Sequence, residues 1–203
     1  FAPRCVHHLQ GEFTRLHPVD GFLHVGIEIL HAQTQPVKSQ FAQQRQRTVI
    51  GLARIHFDRV FAAVVMEQAA LMLRDHGHEV LTVQTDELGD IVGASDGYGA
   101  AVFVSIHCNA AANHEAQGTE VYAASEAGNA LAECLRQRIV GSLGTVDRGV
   151  KDGSHLYVVR NTAAVAVLVE LAFISNAADE ALLIGRTAEF AAAVTGGLMD
   201  YAN

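Results

Sequence analysis

Hydrophobic and polar residues follow a regular pattern from residue 58 to the end of the chain. The segment 58–76 has no glycine or proline, is apolar around most of its circumference and is followed by Gly77, so it predicts a well-buried helix. The runs 101–106 and 164–169 are short, apolar and rich in β-branched residues, which is typical of strands covered on both faces. The pattern further predicts strands at 80–83 and 118–123, a loop or weak helix at 87–98, helices at 127–142 and 187–196, and an N-cap pair at Asn176 and Asp179. Because helices alternate with buried strands, the fold class is an α/β sandwich with a mainly parallel sheet.

The first 56 residues follow no comparable pattern. Residues 22–30 and 48–55 are each compatible with a strand, whereas the stretch 33–47 is polar, rich in Gln and Arg, and interrupted by a proline. Residues 1–56 carry six basic and three acidic residues, whereas residues 57–203 carry eight basic and nineteen acidic residues. This shift divides the chain into an atypical N-terminal segment, 1–56, and one domain, 57–203.

The overall composition excludes several function classes. With 203 residues, 50% hydrophobic and 18% charged, the chain can form one domain with a core and is not of the disordered class. A net charge of −8 argues against nucleic-acid binding, because affinity for phosphates depends on Lys and Arg. No apolar run reaches the roughly 18–20 residues of a membrane span, and no signal peptide is recognised. Three cysteines are too few for a disulfide framework or a cysteine-based zinc site.

Two polar residues stand at the ends of the two most apolar strands. His107 follows the run 102–106, and Glu170 follows 164–169. Ligands of open α/β sheets bind beyond the carboxyl ends of strands, so both side chains are expected at such an edge. A neutral imidazole is a natural zinc ligand, and a nearby carboxylate can accept a proton from a water that the metal activates. The pair therefore indicates metal-assisted hydrolysis, and the alternative is a structural histidine with a solvent-facing glutamate.

Five blocks of sequence lie in order along the second part of the chain. They are Phe103-Val-Ser-Ile-His-Cys-Asn-Ala110, Gly118-Thr-Glu-Val-Tyr122, Arg148-Gly-Val-Lys151, Leu156-Tyr-Val-Val-Arg160, and Val167-Leu-Val-Glu-Leu171 with Phe173-Ile-Ser-Asn176. In order and spacing they resemble zinc-dependent N-acetylmuramoyl-L-alanine amidases of the Amidase_3 type over about residues 58–203. The resemblance implies a zinc-exopeptidase-like, three-layer α/β sandwich with a mostly parallel, mixed sheet. It also implies hydrolysis, with Zn²⁺, of the amide between N-acetylmuramic acid and L-alanine in peptidoglycan, as in autolysins and phage endolysins.

The resemblance assigns roles to individual residues. His107 matches the family's last zinc-binding histidine, and Glu170 matches its catalytic glutamate. The family's middle zinc ligand is a glutamate that opens the first long helix, and this position falls on Asp58. An aspartate can bind zinc, but its side chain is one methylene shorter, so Asp58 is either a zinc ligand or a helix-capping acid.

Three further residues are candidates for substrate binding. Arg148 and Lys151 are basic and are expected to hold an anionic stem peptide or a muropeptide carboxylate, the alternative being a solvated loop. Asn109 follows His107 by two positions and is a candidate hydrogen-bonding group beside the ligand or the substrate.

The family's first zinc histidine stands in an Asp-Pro-Gly-His-Gly-Gly-like turn, and this motif is absent from the chain. The matching position falls near Gln43 in the Gln- and Arg-rich stretch. His56 lies close to Asp58 and is a candidate substitute, while His24 and His31 are weaker candidates. The sequence therefore leaves the first zinc ligand unassigned.

Three hypotheses remain open at this point. The chain is a zinc amidase; or it is an amidase-like domain without a complete metal site that binds peptidoglycan and does not hydrolyse it; or residues 1–56 are an out-of-frame or rearranged terminus on an ordinary amidase. We expect a monomer that acts on peptidoglycan in the cell wall, the periplasm or outside the cell. Cytoplasmic synthesis followed by phage-type release is the alternative to export.

Overall fold

The computed structural model describes residues 24–28, 48–52 and 58–203, with the side chains of Thr48 and of residues 60–203. These residues form seven strands and six helices. The strands are β1 His24–Glu28, β2 Thr48–Leu52, β3 Leu81–Thr85, β4 Val102–Asn109, β5 Thr119–Ala123, β6 Asp147–Asp152 and β7 Val165–Phe173. The helices are α1 Asp58–Asp75, α2 Leu88–Tyr98, α3 Glu126–Leu143, α4 Tyr157–Asn161, α5 Ala177–Gly185 and α6 Thr187–Ala202.

The strands form one mixed sheet in the order β1-β3-β2-β4-β7-β5-β6, and β1 also pairs with β2. The pairs β2–β3, β2–β4, β4–β7 and β5–β6 are parallel. β1 is antiparallel to both of its neighbours, and β5 is antiparallel to β7. The two continuously apolar strands, β4 and β7, lie side by side in the centre, as the sequence predicts for strands covered on both faces.

Side chains that alternate along β4 and β7 give the sheet two buried faces. On one face, Val104, Ile106 and Val169 belong to the larger core, to which α1, α3 and α6 contribute. On the other face, Phe103 and Leu168 belong to a smaller core with residues of α2 and α4. The protein is therefore a three-layer α/β sandwich, and this confirms the fold class expected from the sequence.

The helices predicted at 58–76 and 127–142 are confirmed to within one residue at each end, whereas the helix predicted at 187–196 continues to Ala202. α1 spans Asp58–Asp75, and Gly77 follows it with a φ of +85°, a conformation that favours glycine at a helix end. The segment 87–98, expected to be a loop or a weak helix, contains α2, which begins at Leu88 after the N-cap residue Glu87. Asn176 caps α5 by accepting hydrogen bonds from the N–H groups of Ala178 and Asp179, but the Asp179 side chain points into the protein and takes no part in the cap.

Two elements have no clear signal in the sequence. β6 reads Asp-Arg-Gly-Val-Lys-Asp and buries little; among the described strands it lies at the edge of the sheet and pairs only with β5. α4 has only five residues. The candidate strands at 22–30 and 48–55 contain β1 and β2, and the stretch 33–47 lies outside the described residues. Within the described part of the chain, no helix is long and apolar enough to cross a membrane.

Candidate active site

His107 and Glu170 lie side by side at the carboxyl ends of the two central strands. In the parallel register of β4 and β7, His107 is directly opposite Glu170. Both lie on the face where Phe103 and Leu168 are buried, because residues two or four apart on a strand share a face. His107 is 5% exposed, and its Nε2 forms a 2.9 Å hydrogen bond with the hydroxyl of Ser105. The structure thus brings the two predicted residues together at the edge where α/β sheets bind ligands.

A second carboxylate, Glu120, lies next to Glu170. β5 runs antiparallel to β7 and places Glu120 directly opposite Glu170, so the two carboxylates share a face. Glu120 is 4% exposed. Three side chains donate hydrogen bonds to it: Asn109 Nδ2 to Oε1 at 2.7 Å, Tyr122 hydroxyl to Oε1 at 2.9 Å, and Arg148 Nε to Oε2 at 2.7 Å. Arg148 thereby supplies the opposite charge that a buried carboxylate requires.

Arg148 is held in place at the rim of this cluster. Its Nη1 also donates to the carbonyl oxygen of Gln117 at 3.5 Å, and its Cζ lies 4.8 Å from the centre of the Phe173 ring. The side chain is 36% exposed. Among the described residues, its hydrogen bonds use Nε and Nη1, so Nη2 can donate to an anionic ligand from solvent.

Tyr122 shows the effect of the two carboxylates on their surroundings. Burial raises the pKa of the Tyr122 hydroxyl, and its hydrogen bond to Glu120 and the negative charges of Glu120 and Glu170 raise the pKa further, against the opposing charge of Arg148. The Tyr122 hydroxyl is therefore a neutral hydrogen-bond donor at physiological pH. Its ring also meets the His155 ring edge to face, with the ring centres 6.0 Å apart.

Lys151 lies farther from the carboxylate cluster than Arg148. It is opposite Tyr122 in the β5–β6 pair and so lies about 7 Å along the sheet from the row of Glu120. Its exposed side chain borders a surface cavity of about 480 Å³, lined also by Ser125 and Asp152 at the other end of β5. Of the two predicted basic residues, only Arg148 joins the cluster around Glu120.

The candidate zinc ligands of the N-terminal part lie outside the described side chains. Asp58 is the first residue of α1, where the resemblance expects the middle ligand, but only its backbone is described. The same holds for His24 in β1. The remaining candidates for the first ligand, His31 and His56, lie outside the described residues, and so does Gln43, near which the family's position falls. Among the side chains that are described, no group of three or more His, Cys, Asp or Glu could hold a metal ion. These side chains by themselves do not make a zinc site, and their one candidate ligand is His107.

A model of the Amidase_3 family, described as N-acetylmuramoyl-L-alanine amidase, matches residues 51–200. The chain belongs to this family. The match includes all of β4, β5 and β7, which carry His107, Glu120 and Glu170. The resemblance seen in the five sequence blocks is thereby confirmed.

Relatives of the chain include cell-wall amidases. An uncharacterized cell wall amidase of Bacillus anthracis is 37% identical over 147 residues, which cover 65% of this chain and 27% of that protein. The N-acetylmuramoyl-L-alanine amidase LytC of Bacillus subtilis is 41% identical over 88 residues, which cover 41% of this chain and 18% of LytC. The chain thus spans less than a third of the length of these two relatives.

Solved amidase structures share the fold. The catalytic domain of CwlV, an amidase from Bacillus (Paenibacillus) polymyxa, is 28% identical, with a TM-score of 0.65 over 73% of this chain and 86% of that domain. The solved structure of the amidase AmiC2 of Nostoc punctiforme is 25% identical, with a TM-score of 0.70 over 77% of this chain and 97% of the solved chain. The Amidase_3 fold expected from the sequence is therefore the fold observed.

Glu120 and Tyr122 are recognised as part of the site only from the structure, although both stand in one of the five blocks. One signal for them was present. Glu120 is a charged residue inside a short strand, and Tyr122 follows it by two positions, so the two side chains share one face. A charged residue on a buried strand requires partners, and this requirement points to a polar cluster.

Proposed function

We propose that this Amidase_3 domain hydrolyses the amide between N-acetylmuramic acid and L-alanine of the stem peptide in peptidoglycan. The observation that carries the proposal is the pairing of His107 with Glu170 at the carboxyl edge of the central strands, within a chain of this family. A buried imidazole beside a carboxylate suits the hydrolysis of an unactivated amide, which requires both an electrophilic centre and a group that transfers protons.

Glu170 is the catalytic base and acid in this proposal. Its carboxylate accepts a proton from the attacking water, whose oxygen bonds to the lactyl carbonyl carbon. The same group then gives the proton to the nitrogen of L-alanine as the C–N bond breaks. The products are a free carboxylate on the muramic acid and a free amine on the peptide, so one water is consumed for each bond broken.

We propose that His107 is one ligand of a zinc ion. When bound, zinc polarises the scissile carbonyl and makes water a stronger acid. The chemistry of His107 fits this role, because it is a buried imidazole beside Glu170. Asp58 is proposed as a second ligand, because it opens α1 where the family has its middle ligand.

A zinc titration distinguishes two hypotheses: a zinc amidase, and an amidase-like domain that only binds peptidoglycan. After metal removal, the chain is expected to bind one Zn²⁺ in calorimetric titration, and His107→Ala is expected to weaken the affinity by at least about tenfold, as expected when a ligand is removed. His155→Ala is the matched control and should bind as the parent does. If the parent binds no zinc but sediments with insoluble peptidoglycan, the binding-only hypothesis is correct and the zinc amidase is not.

Arg148, Lys151 and Asn109 are proposed to face the stem peptide. Arg148 is the strongest candidate, because its guanidinium is fixed by Glu120 and Phe173 and is still over a third exposed. Lys151 extends the positive charge along the same face of the sheet. Asn109 already donates to Glu120, so its contribution is to hold this carboxylate in place beside the substrate.

Lys151→Gln is expected to raise KM for a muropeptide with free stem-peptide carboxylates by about two- to fivefold, because exposed charge pairs contribute up to about 1 kcal/mol. The same variant should leave KM unchanged for a muropeptide whose carboxylates are amidated, and kcat should stay the same for both. Initial rates on the two purified muropeptides provide the measurement. Equal changes in KM on both substrates would contradict a charge contact between Lys151 and the stem peptide.

Residues 57–203 are proposed to be the catalytic domain, acting as a monomer on peptidoglycan in the cell wall, the periplasm or outside the cell. Support comes from the family match over 51–200 and from His107, Glu120 and Glu170, which lie on neighbouring strands of one sheet. Analytical ultracentrifugation of the full chain tests the monomer, which should sediment with a mass near 21.7 kDa.

A further inference from the structure

Asp179 is a buried carboxylate next to the site, outside the groups that the proposed hydrolysis uses. It lies in the first turn of α5 and is 2% exposed. One of its oxygens, Oδ2, accepts two backbone hydrogen bonds, from the N–H of Gly118 at 2.7 Å and from the N–H of Phe173 at 2.8 Å. Burying a carboxylate costs free energy unless the carboxylate accepts hydrogen bonds. The position of Asp179 between two main-chain segments therefore requires an explanation.

The two N–H groups belong to the chain segments that carry the carboxylate cluster. Gly118 stands two residues before Glu120, and Phe173 stands three residues after Glu170. The ring of Phe173 lies under the guanidinium of Arg148. One oxygen of Asp179 therefore connects the start of β5 with the end of β7.

The connection lies where the pairing of the two strands ends. In the β5–β7 register, the last pair towards the site is Glu120 with Glu170. Beyond that row, side chains join the two segments. The hydroxyl of Thr119 donates to the carbonyl oxygen of Leu171 at 2.7 Å, and the next link is the pair of hydrogen bonds to Asp179. Strand ends open most easily, so contacts just beyond the last pair determine how firmly that pair is held.

We propose that Asp179 is a positioning residue for hydrolysis. Its carboxylate fixes the spacing between the end of β7 and the start of β5, and so holds Glu170 and Glu120 beside each other and Arg148 on the ring of Phe173. This inference rests on the proposed amidase function.

Three variants of the full chain test the inference: Asp179→Ala, Asp179→Asn and, as a matched control in the same helical turn, Glu180→Ala. At a temperature well below unfolding, Asp179→Ala is expected to lower kcat on a muropeptide by at least about tenfold, with KM within about threefold, because small misplacements of catalytic groups are costly. Asp179→Asn should recover kcat to within about threefold, since one amide oxygen can accept both N–H groups. Glu180→Ala should behave as the parent does.

Amide hydrogen exchange measured by NMR supplies a readout that does not need activity. In Asp179→Ala, the N–H groups of Gly118 and Phe173 should exchange at least about tenfold faster, and the Nε–H resonance of Arg148 should shift. Asp179→Asn should leave all three close to the parent. If Asp179→Ala does not fold, Asp179→Ser replaces it, because a serine hydroxyl is too short to reach both groups.

The outcomes distinguish the inference from the proposed function. An Asp179→Ala variant with parental kcat, or with parental exchange at Gly118 and Phe173, overturns the positioning role. If Asp179→Asn loses as much kcat as Asp179→Ala, the charge of Asp179 and not its bridging geometry is what matters, and the inference is also wrong. If the parent hydrolyses nothing while the exchange results hold, the proposed function fails and Asp179 is only a structural link.

Discussion

Replacing Glu170 with glutamine is expected to lower kcat for muropeptide hydrolysis by about a thousandfold, equivalent to about 4 kcal/mol in the activation free energy. Glutamine keeps the shape of the side chain but cannot accept the proton of the attacking water. KM should remain within about threefold of the parent, because the basic residues proposed to bind the peptide are unchanged. Chromatographic measurement of released stem peptide gives both constants.

Two controls make the Glu170→Gln result specific. Glu126→Gln removes an exposed carboxylate at the start of α3 and should retain parental rates. Zinc titration of Glu170→Gln should match the parent, because Glu170 is proposed to act on water and not to bind the metal. If Glu170→Gln hydrolyses muropeptides as fast as the parent does, Glu170 is not the catalytic base.

The central strands could be predicted because a strand buried on both faces is apolar at nearly every position. β4 is buried along nearly its whole length, and β7 is apolar up to Glu170. The edge strand β6 has no such pattern, since among the described strands it pairs on one side only, and neither of its faces is clearly apolar. Its place in the sheet is decided by pairing with β5, which is a tertiary effect.

The position of His107 and Glu170 could also be predicted, because both are polar residues at the ends of apolar strands. The position of Glu120 next to Glu170 could not be predicted from the sequence. It depends on β5 entering the sheet antiparallel to β7, and neither the length nor the composition of β5 specifies that direction. The strand register then shows that Glu120 is opposite Glu170. The side chains show that three residues donate hydrogen bonds to Glu120: Asn109, Tyr122 and Arg148.

Asp179 illustrates the limit of local rules. The spacing of Asn176 and Asp179 fits a helix N-cap pair, and Asn176 does cap α5. Asp179 instead bonds to N–H groups of residues 118 and 173, the first of them far away in sequence. The carboxylate of Asp179 could serve either the local N-cap motif or the long-range contact with residues 118 and 173. The long-range contact prevailed because buried N–H groups at strand ends require an acceptor, whereas the N–H of Asn176 already donates to the carbonyl oxygen of Phe173 at 3.0 Å.

Gly118→Ala is expected to destabilise the chain by about 3–5 kcal/mol, measured as the free energy of unfolding in urea. Gly118 has a φ of +107°, which strains any residue with a Cβ. An added Cβ would overlap the carbonyl oxygen of Val146 and come within 2.8 Å of the Val146 Cβ. That carbonyl also accepts the N–H of Thr119 at 2.8 Å, so it cannot move away without loss of a hydrogen bond at the start of β5.

Two other glycines of the chain serve as controls, because they distinguish the cost of the positive φ from the cost of the close contact with Val146. Gly144 ends α3 with a φ of +71° and has open space where an alanine methyl group would lie, so Gly144→Ala should cost only about 1 kcal/mol, from the backbone conformation. Gly141 lies exposed inside α3 with neither constraint, and Gly141→Ala should stabilise by about 0.5–1 kcal/mol. If Gly118→Ala costs no more than Gly144→Ala, the close approach to Val146 does not constrain the start of β5. Glu120 would then owe its place beside Glu170 to the side-chain hydrogen bonds at the site and not to the path of the backbone.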